Sequence, residues 1–178
     1  LLFNNFNRNP SARYVVLFLM IVSLYGITHY FVLFGASAFW LAFFYNHFTP
    51  FYLLLGPLLF FYIRSTLTDN ASLFKSDYLH FIPAVIQAVG IFPYLITPFS
   101  IKVQNAERII DNIDSLLYLN LNVFYNADVS FLIRVGLFLI YILYCGYLLL
   151  IHAPKIRIEN AIPNNQYRVS IKWLSLLV

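Results

Sequence analysis

Charge is what this sequence has least of. Of its 178 residues, 11 are Lys or Arg and 7 are Asp or Glu. That is 10% charged, where a soluble domain carries roughly 25%. So few charges cannot cover a surface facing water, which excludes an ordinary soluble globular domain and leaves lipid as the solvent. Cysteine is almost missing too. The single Cys145, set in an apolar run, excludes an intramolecular disulfide and a Cys-based metal cluster, and reads as a small packed residue. None of the six glycines belongs to a phosphate-binding loop or a G-x-S-x-G elbow. The four histidines, His29, His47, His80 and His152, fall on different segments without an H-E-x-x-H pair or a Cys partner. No metal, cofactor or enzymatic chemistry is therefore expected. The apolar runs also lack the buried Asp or Glu that an ion-coupled transporter uses as a relay.

What is present is apolar and aromatic, 61% and 20% of the chain. Positions 14–63 contain no Lys, Arg, Asp or Glu, a span too long for one crossing of ~20 residues. The expected fold is all-α: a polytopic transmembrane helix bundle with crossings at about 14–34, 48–63, 78–95 and 129–151. A fifth, at 171–178, reads as truncated. The aromatic stretch 39–45 (FWLAFFY) is either a short interfacial helix or an extension of the second crossing. The third run is interrupted by Pro83, Pro93 and Pro98, which predicts a kinked helix. Between 102 and 128 lies the longest polar segment. Ile109, Ile110, Ile113, Leu116 and Leu117 recur there at helical spacing, which predicts an amphipathic helix lying on the membrane. The sequence starts without methionine and stops inside an apolar run, so it is expected to be a piece of something longer.

Basic residues set the orientation. Segments 1–13, 64–77 and 152–172 hold Arg8, Arg13, Arg64, Lys75, Lys155, Arg157, Arg168 and Lys172. The opposite side holds Lys102 and Arg108, outnumbered by acids. By the positive-inside rule the first set is cytoplasmic. The Asn70-Ala-Ser72 sequon then falls on the cytoplasmic side and is discarded. A cleaved secretory signal ending at Ala36-Ser37-Ala38 is disfavoured, because the apolar run from 14 exceeds the ~7–15 residues of a signal core.

Three polar side chains stand out inside the crossings as speculative ligand contacts. Arg134 lies a turn and a half into the fourth crossing, where it either reaches the outer headgroups, pairs with Asp128, or contacts an anion. Gln87 and His29 lie mid-crossing, where hydrogen bonds between helices compete with a ligand role.

The stretch GPLLFFYIRS at 56–65, followed by KSDYLHFIP at 75–83, resembles the membrane half of a bacterial family. These are membrane-anchored AraC-type helix-turn-helix transcription regulators of the Bacteroidetes kind. The NQYR at 165–168 leading to KWL at 172–174 is similar to the juxtamembrane stretch before that family's next helix. The physics of the motif can also be stated from its residues. Gly56 permits close helix approach, Pro57 loosens the helix, Tyr62 and Arg64 anchor the cytoplasmic end, and Asp77 caps the next helix. His80 and Pro83 complete the structural motif. The resemblance implies a sensory or anchoring domain in the bacterial inner membrane. It implies DNA contact only through a C-terminal domain that this chain lacks, self-association, and an unidentified signal ligand. A sensor-kinase input domain and a small transporter or membrane enzyme fragment are the alternative readings.

Overall fold

A computed structural model describes residues 10–159 apart from positions 36 and 120, and for 153–159 the backbone alone. The expected fifth crossing at 171–178 lies outside the described residues, within which every regular element is helical. The elements are α1 (Ala12–Phe34), α2 (Ala38–Phe44), α3 (Thr49–Tyr52), α4 (Leu55–Thr68), a 3-10 segment (Lys75–Phe81), α5 (Ile82–Gly90), α6 (Phe92–Ile96), α7 (Phe99–Asp111), a second 3-10 turn (Ile113–Leu117) and α8 (Ala127–Glu159).

Three helical stretches are long and apolar enough to cross a membrane: Ala12–Phe34, Thr49–Thr68 and Ala127–His152. They match the expected first, second and fourth crossings. The middle one is a pair, α3 and α4, because Pro57 has no N–H for the carbonyl one turn earlier and the chain breaks near Leu53. It is also the centre of the bundle. Of its most apolar stretch 56% is buried, against 11% for α1 and 6% for α8. Both outer helices rest on α4, in a core built from Tyr14, Ile21, Leu59, Phe61, Ile63 and Cys145. Their remaining faces expose Leu17, Met20, Leu132, Leu139, Ile140 and Leu143. Such faces suit lipid, where no hydrophobic penalty attaches to exposure.

The kinked third crossing is three short pieces instead: a 3-10 segment, then α5, then α6. Pro83 and Pro93 each occupy the first turn of their helix, the position where a missing N–H is harmless. A second departure concerns the amphipathic helix. It begins at Phe99, earlier than expected, and is over by Asp111. Ala106 and Ile109 are buried against Leu41 and Ala42 of α2, so part of its apolar stripe faces a partner helix. That contact also settles the stretch 39–45, which forms a separate helix.

Two glycines are required by close approach. A Cβ at Gly56 would lie 2.3 Å from the Tyr141 ring, so α4 meets α8 through bare backbone. A Cβ at Gly90 would lie 2.4 Å from the Asn122 side chain, and the Gly90 carbonyl accepts from Val123 N–H at 3.0 Å. The 121–126 loop is thereby held against the end of α5.

Candidate ligand cavity

The two ends of the bundle are built differently. At the end that carries Arg64, the motif residues close on one another. Arg64 donates to the Asp77 carboxylate at 2.6 Å and to the Ser72 carbonyl at 3.2 Å. Asp77 also accepts the Phe74 N–H at 2.7 Å. Phe74 stands at the head of the 3-10 segment, so Asp77 caps that segment by reaching back from its third position to the Phe74 N–H and is not its first cap. Arg64 does not reach out to headgroups. Its side chain is 14% exposed and stacks over Phe74, with the guanidinium carbon 4.7 Å from the ring centre. The Arg64 hydrogen bond holds the Asp77 carboxyl below the usual carboxylate range, against the opposing effect of burial. His80 packs on Phe60 and Phe61 and bonds the Tyr141 hydroxyl at 2.5 Å, tying the 3-10 segment to α8. Pro83 opens α5, and Tyr62 is half-buried at the edge of the core. Nearby, Tyr14 and Arg13 at the start of α1 both donate to the Ala71 carbonyl.

At the other end the helices part around a cavity of about 430 Å³. Thr28, His29 and Val32 of α1 form one wall, Thr49 and Tyr52 of α3 the floor, and Phe131, Leu132 and Arg134 of α8 the facing wall. Leu116, Leu117, Leu121 and Asn122 cover it. The three residues singled out in the sequence as ligand contacts, Arg134, Gln87 and His29, all line this one space.

Their surroundings differ. Gln87 is buried and fully engaged as a hub. Its amide N–H donates to the Thr49 hydroxyl at 2.9 Å, and its oxygen accepts from Asn122 at 3.2 Å and from the Tyr125 hydroxyl. Thr49 in turn donates to the Asn46 carbonyl at 2.9 Å, and Asn46 donates to the Leu121 carbonyl at 2.8 Å. Asn46 holds a left-handed backbone with φ of 64°, which asparagine tolerates better than most residues. Across the cavity the Thr28 and Tyr52 hydroxyls bond at 2.8 Å. His29 Nδ1 donates to the Tyr25 carbonyl at 3.0 Å, and its Nε2 has no partner among the described residues.

Arg134 is the exception. Its Nε donates to the Ser130 carbonyl at 3.1 Å, and its guanidinium carbon stands 6.0 Å from the Tyr52 ring and 5.8 Å from the Phe131 ring. It makes no ion pair with Asp128, which is exposed at the rim. Among the described residues the one salt bridge is Arg64–Asp77. Burial pushes the Tyr45 phenol at the cavity edge up to about 12, and the Arg134 charge works against that rise. No protein-family model, curated protein or solved structure matches the chain.

Beside the cavity lies a pairing that the sequence did not signal. Lys102, counted there as a loop charge, is 5% exposed. It donates to His47 Nε2 at 3.1 Å and to the Leu95 carbonyl at 2.9 Å, and it sits over the Tyr94 ring. Burial lowers the Lys102 pKa. Burial first, and the Lys102 charge second, lower that of His47. The pair fastens α7 to the link between α2 and α3. Thr28, Tyr52, Asn46 and Asn122 were likewise unmarked in the sequence. The available signal was their hydrogen-bonding capacity inside apolar runs, where every donor needs a partner.

Proposed function

We propose that the chain is the membrane-embedded sensory and anchoring domain of a bacterial one-component regulator of the AraC type, multi-pass in the inner membrane. A membrane-borne or external signal is taken up at the outer end of the bundle. It biases helix packing, and the bias reaches helix-turn-helix units outside these 178 residues. The observation that carries this reading is the contrast between the two ends. The motif end, with its arginine–carboxylate pair, ties α4, the 3-10 segment and α8 together, while the far end leaves a cavity between the same outer helices. A ligand can shift such a bundle only by binding two packings with different affinity, and a cavity bounded by α1, α3 and α8 changes shape when those helices move.

The segment between α4 and α7 supplies the third crossing in this reading. The part of its 3-10 piece beyond Asp77, positions 78–81, rises roughly 8 Å at ~2.0 Å per residue. The fifteen positions 82–96 add roughly 22 Å at ~1.5 Å per residue, enough together for ~30 Å of hydrocarbon. Val85, Ile86, Val89, Phe92 and Ile96 on these pieces are exposed, as lipid contact asks. Exposed faces on α1 and α8 also leave room for a second copy.

Enzyme reporters fused after position 115 and after position 160 test the topology. The expected result is external activity at the first and cytoplasmic activity at the second, and the reverse pattern overturns the orientation. The full-length gene product decides the regulator assignment. Its recovery crosslinked to promoter DNA supports the reading, whereas autophosphorylation by a kinase core replaces it with a sensor kinase.

A further inference from the structure

We infer that the cavity between α1, α3 and α8 binds a single-chain amphiphile with a carboxylate head, the head on Arg134 and the tail on the apolar wall. The inference rests on the membrane reading above and adds the chemical class of the ligand.

Hydrogen-bond accounting leads to the head. Thr28, Thr49, Tyr52, Asn46, Asn122 and Gln87 bond to one another or to backbone, and the Tyr45 and Ser130 hydroxyls that also line the space are uncharged donors. Arg134 has one nitrogen engaged, and its two terminal nitrogens have no acceptor among the described residues. A guanidinium presents those N–H groups as a planar fork, which matches the two oxygens of a carboxylate. Asp128 shares the rim without pairing, and its exposure to solvent screens its repulsion of an anion.

The walls lead to the tail. Val32, Leu116, Leu121, Phe131 and Leu132 are apolar, and the rim residues Leu117, Phe131 and Leu132 are 51%, 45% and 68% exposed. An opening edged by leucine and phenylalanine on a lipid-facing helix admits a solute from the bilayer more readily than a hydrated inorganic anion. The volume, about 430 Å³, sits low in the ~300–1,000 Å³ range of small-molecule pockets. That size takes one tail of medium length and excludes a two-chain phospholipid.

The test uses the whole chain in phosphatidylcholine nanodiscs, with decanoate labelled with ¹³C at the carboxyl as probe. Saturable binding is expected, weakened at least tenfold in Arg134→Gln and unchanged in Arg108→Gln, a substitution at an exposed charge outside the cavity. Leu117→Trp, which keeps the guanidinium and fills the tail space, is expected to lose binding as well. This guards against a fold defect peculiar to Arg134. Decanol and inorganic phosphate are the comparison probes, and both are expected to bind at least tenfold more weakly. Equal binding of decanol, or no effect of Arg134→Gln, overturns the head assignment. Displacement of decanoate by phosphatidylglycerol in the disc overturns the single-chain reading in favour of a lipid headgroup. Either failure leaves the membrane reading standing. A chain that stays folded in buffer and does not enter the nanodisc sinks that reading instead.

Discussion

Arg64 and Arg134 are the same residue type placed near opposite ends of one bundle, and the protein treats them in opposite ways. Arg64 has a carboxylate at 2.6 Å, a carbonyl at 3.2 Å and an aromatic ring beneath it. Arg134 has a carbonyl for one nitrogen and two distant rings, with no acid in contact. A desolvated charge is costly unless paired, so the first arrangement holds the fold together and the second is tolerable chiefly where something else completes it. The difference teaches that such a charge is to be judged by whether a counter-charge touches it, not by its depth.

Five measurements sharpen or break that contrast. The largest effect belongs to Asp77→Ala, which strands the Arg64 charge. Loss of about 3 kcal/mol is expected in thermal or denaturant unfolding in detergent, the low end for a buried pair because Arg64 keeps some exposure. The same pair predicts an acid limb. The folded-state pKa of Asp77 lies below its unfolded value, so the stability it contributes is complete above the unfolded pKa of about 4 and is lost as pH falls through the lower folded value. In Asp77→Asn that part of the acid limb flattens, and an unchanged pH profile would count against the pair.

Gln87→Leu comes next. It leaves the Thr49 hydroxyl, the Asn122 amide and the Tyr125 hydroxyl without their partner, which costs about 2 kcal/mol. If instead Gln87→Leu is neutral for folding yet abolishes decanoate binding, Gln87 is a ligand contact and not a hub. Gly56→Ala pushes a methyl into the root of the Tyr141 ring, which cannot swing aside as a flexible chain end would. A loss of about 1–2 kcal/mol is expected by the same unfolding measurement. Smallest of all is Arg134→Met in the ligand-free protein, with a change of less than about 1 kcal/mol or a slight gain. A loss as large as that of Asp77→Ala would show that Arg134 has a structural partner, and the contrast between the two arginines would fail.

Much of the helix layout was legible beforehand because lipid solubility writes itself into composition. A helix facing hydrocarbon must be apolar along its length, so α1, the α3–α4 pair and α8 appear directly in the sequence as runs at 14–34, 48–63 and 129–151. The run at 78–95 was equally apolar, but hydropathy carries no information on continuity, and Pro83 and Pro93 divided it. The stripe of α7 was visible as periodicity. Periodicity says that a face is buried and not what buries it, so α2 could not be told from a bilayer.

The site was legible in parts that lacked a location. Arg134, Gln87 and His29 were each conspicuous as polar atoms in apolar runs, and the cost of an unpaired polar group in hydrocarbon is the reason. That they line one cavity follows from how α1, α5 and α8 converge, across 105 positions from His29 to Arg134. The burial of Lys102 against His47 was likewise invisible, because a lysine beside a polar segment reads as solvated until a helix is placed over it.

The residues by themselves determined where the long apolar helices lie. Eighteen charges in 178 positions, clustered between long apolar runs, leave three helices long and apolar enough to cross a membrane. Tertiary structure alone decided which arginine would meet a carboxylate and which would not. That outcome depends on which side chains meet when Gly56 brings α4 against α8, and close approach across a bundle is a property of three-dimensional packing that no local pattern encodes.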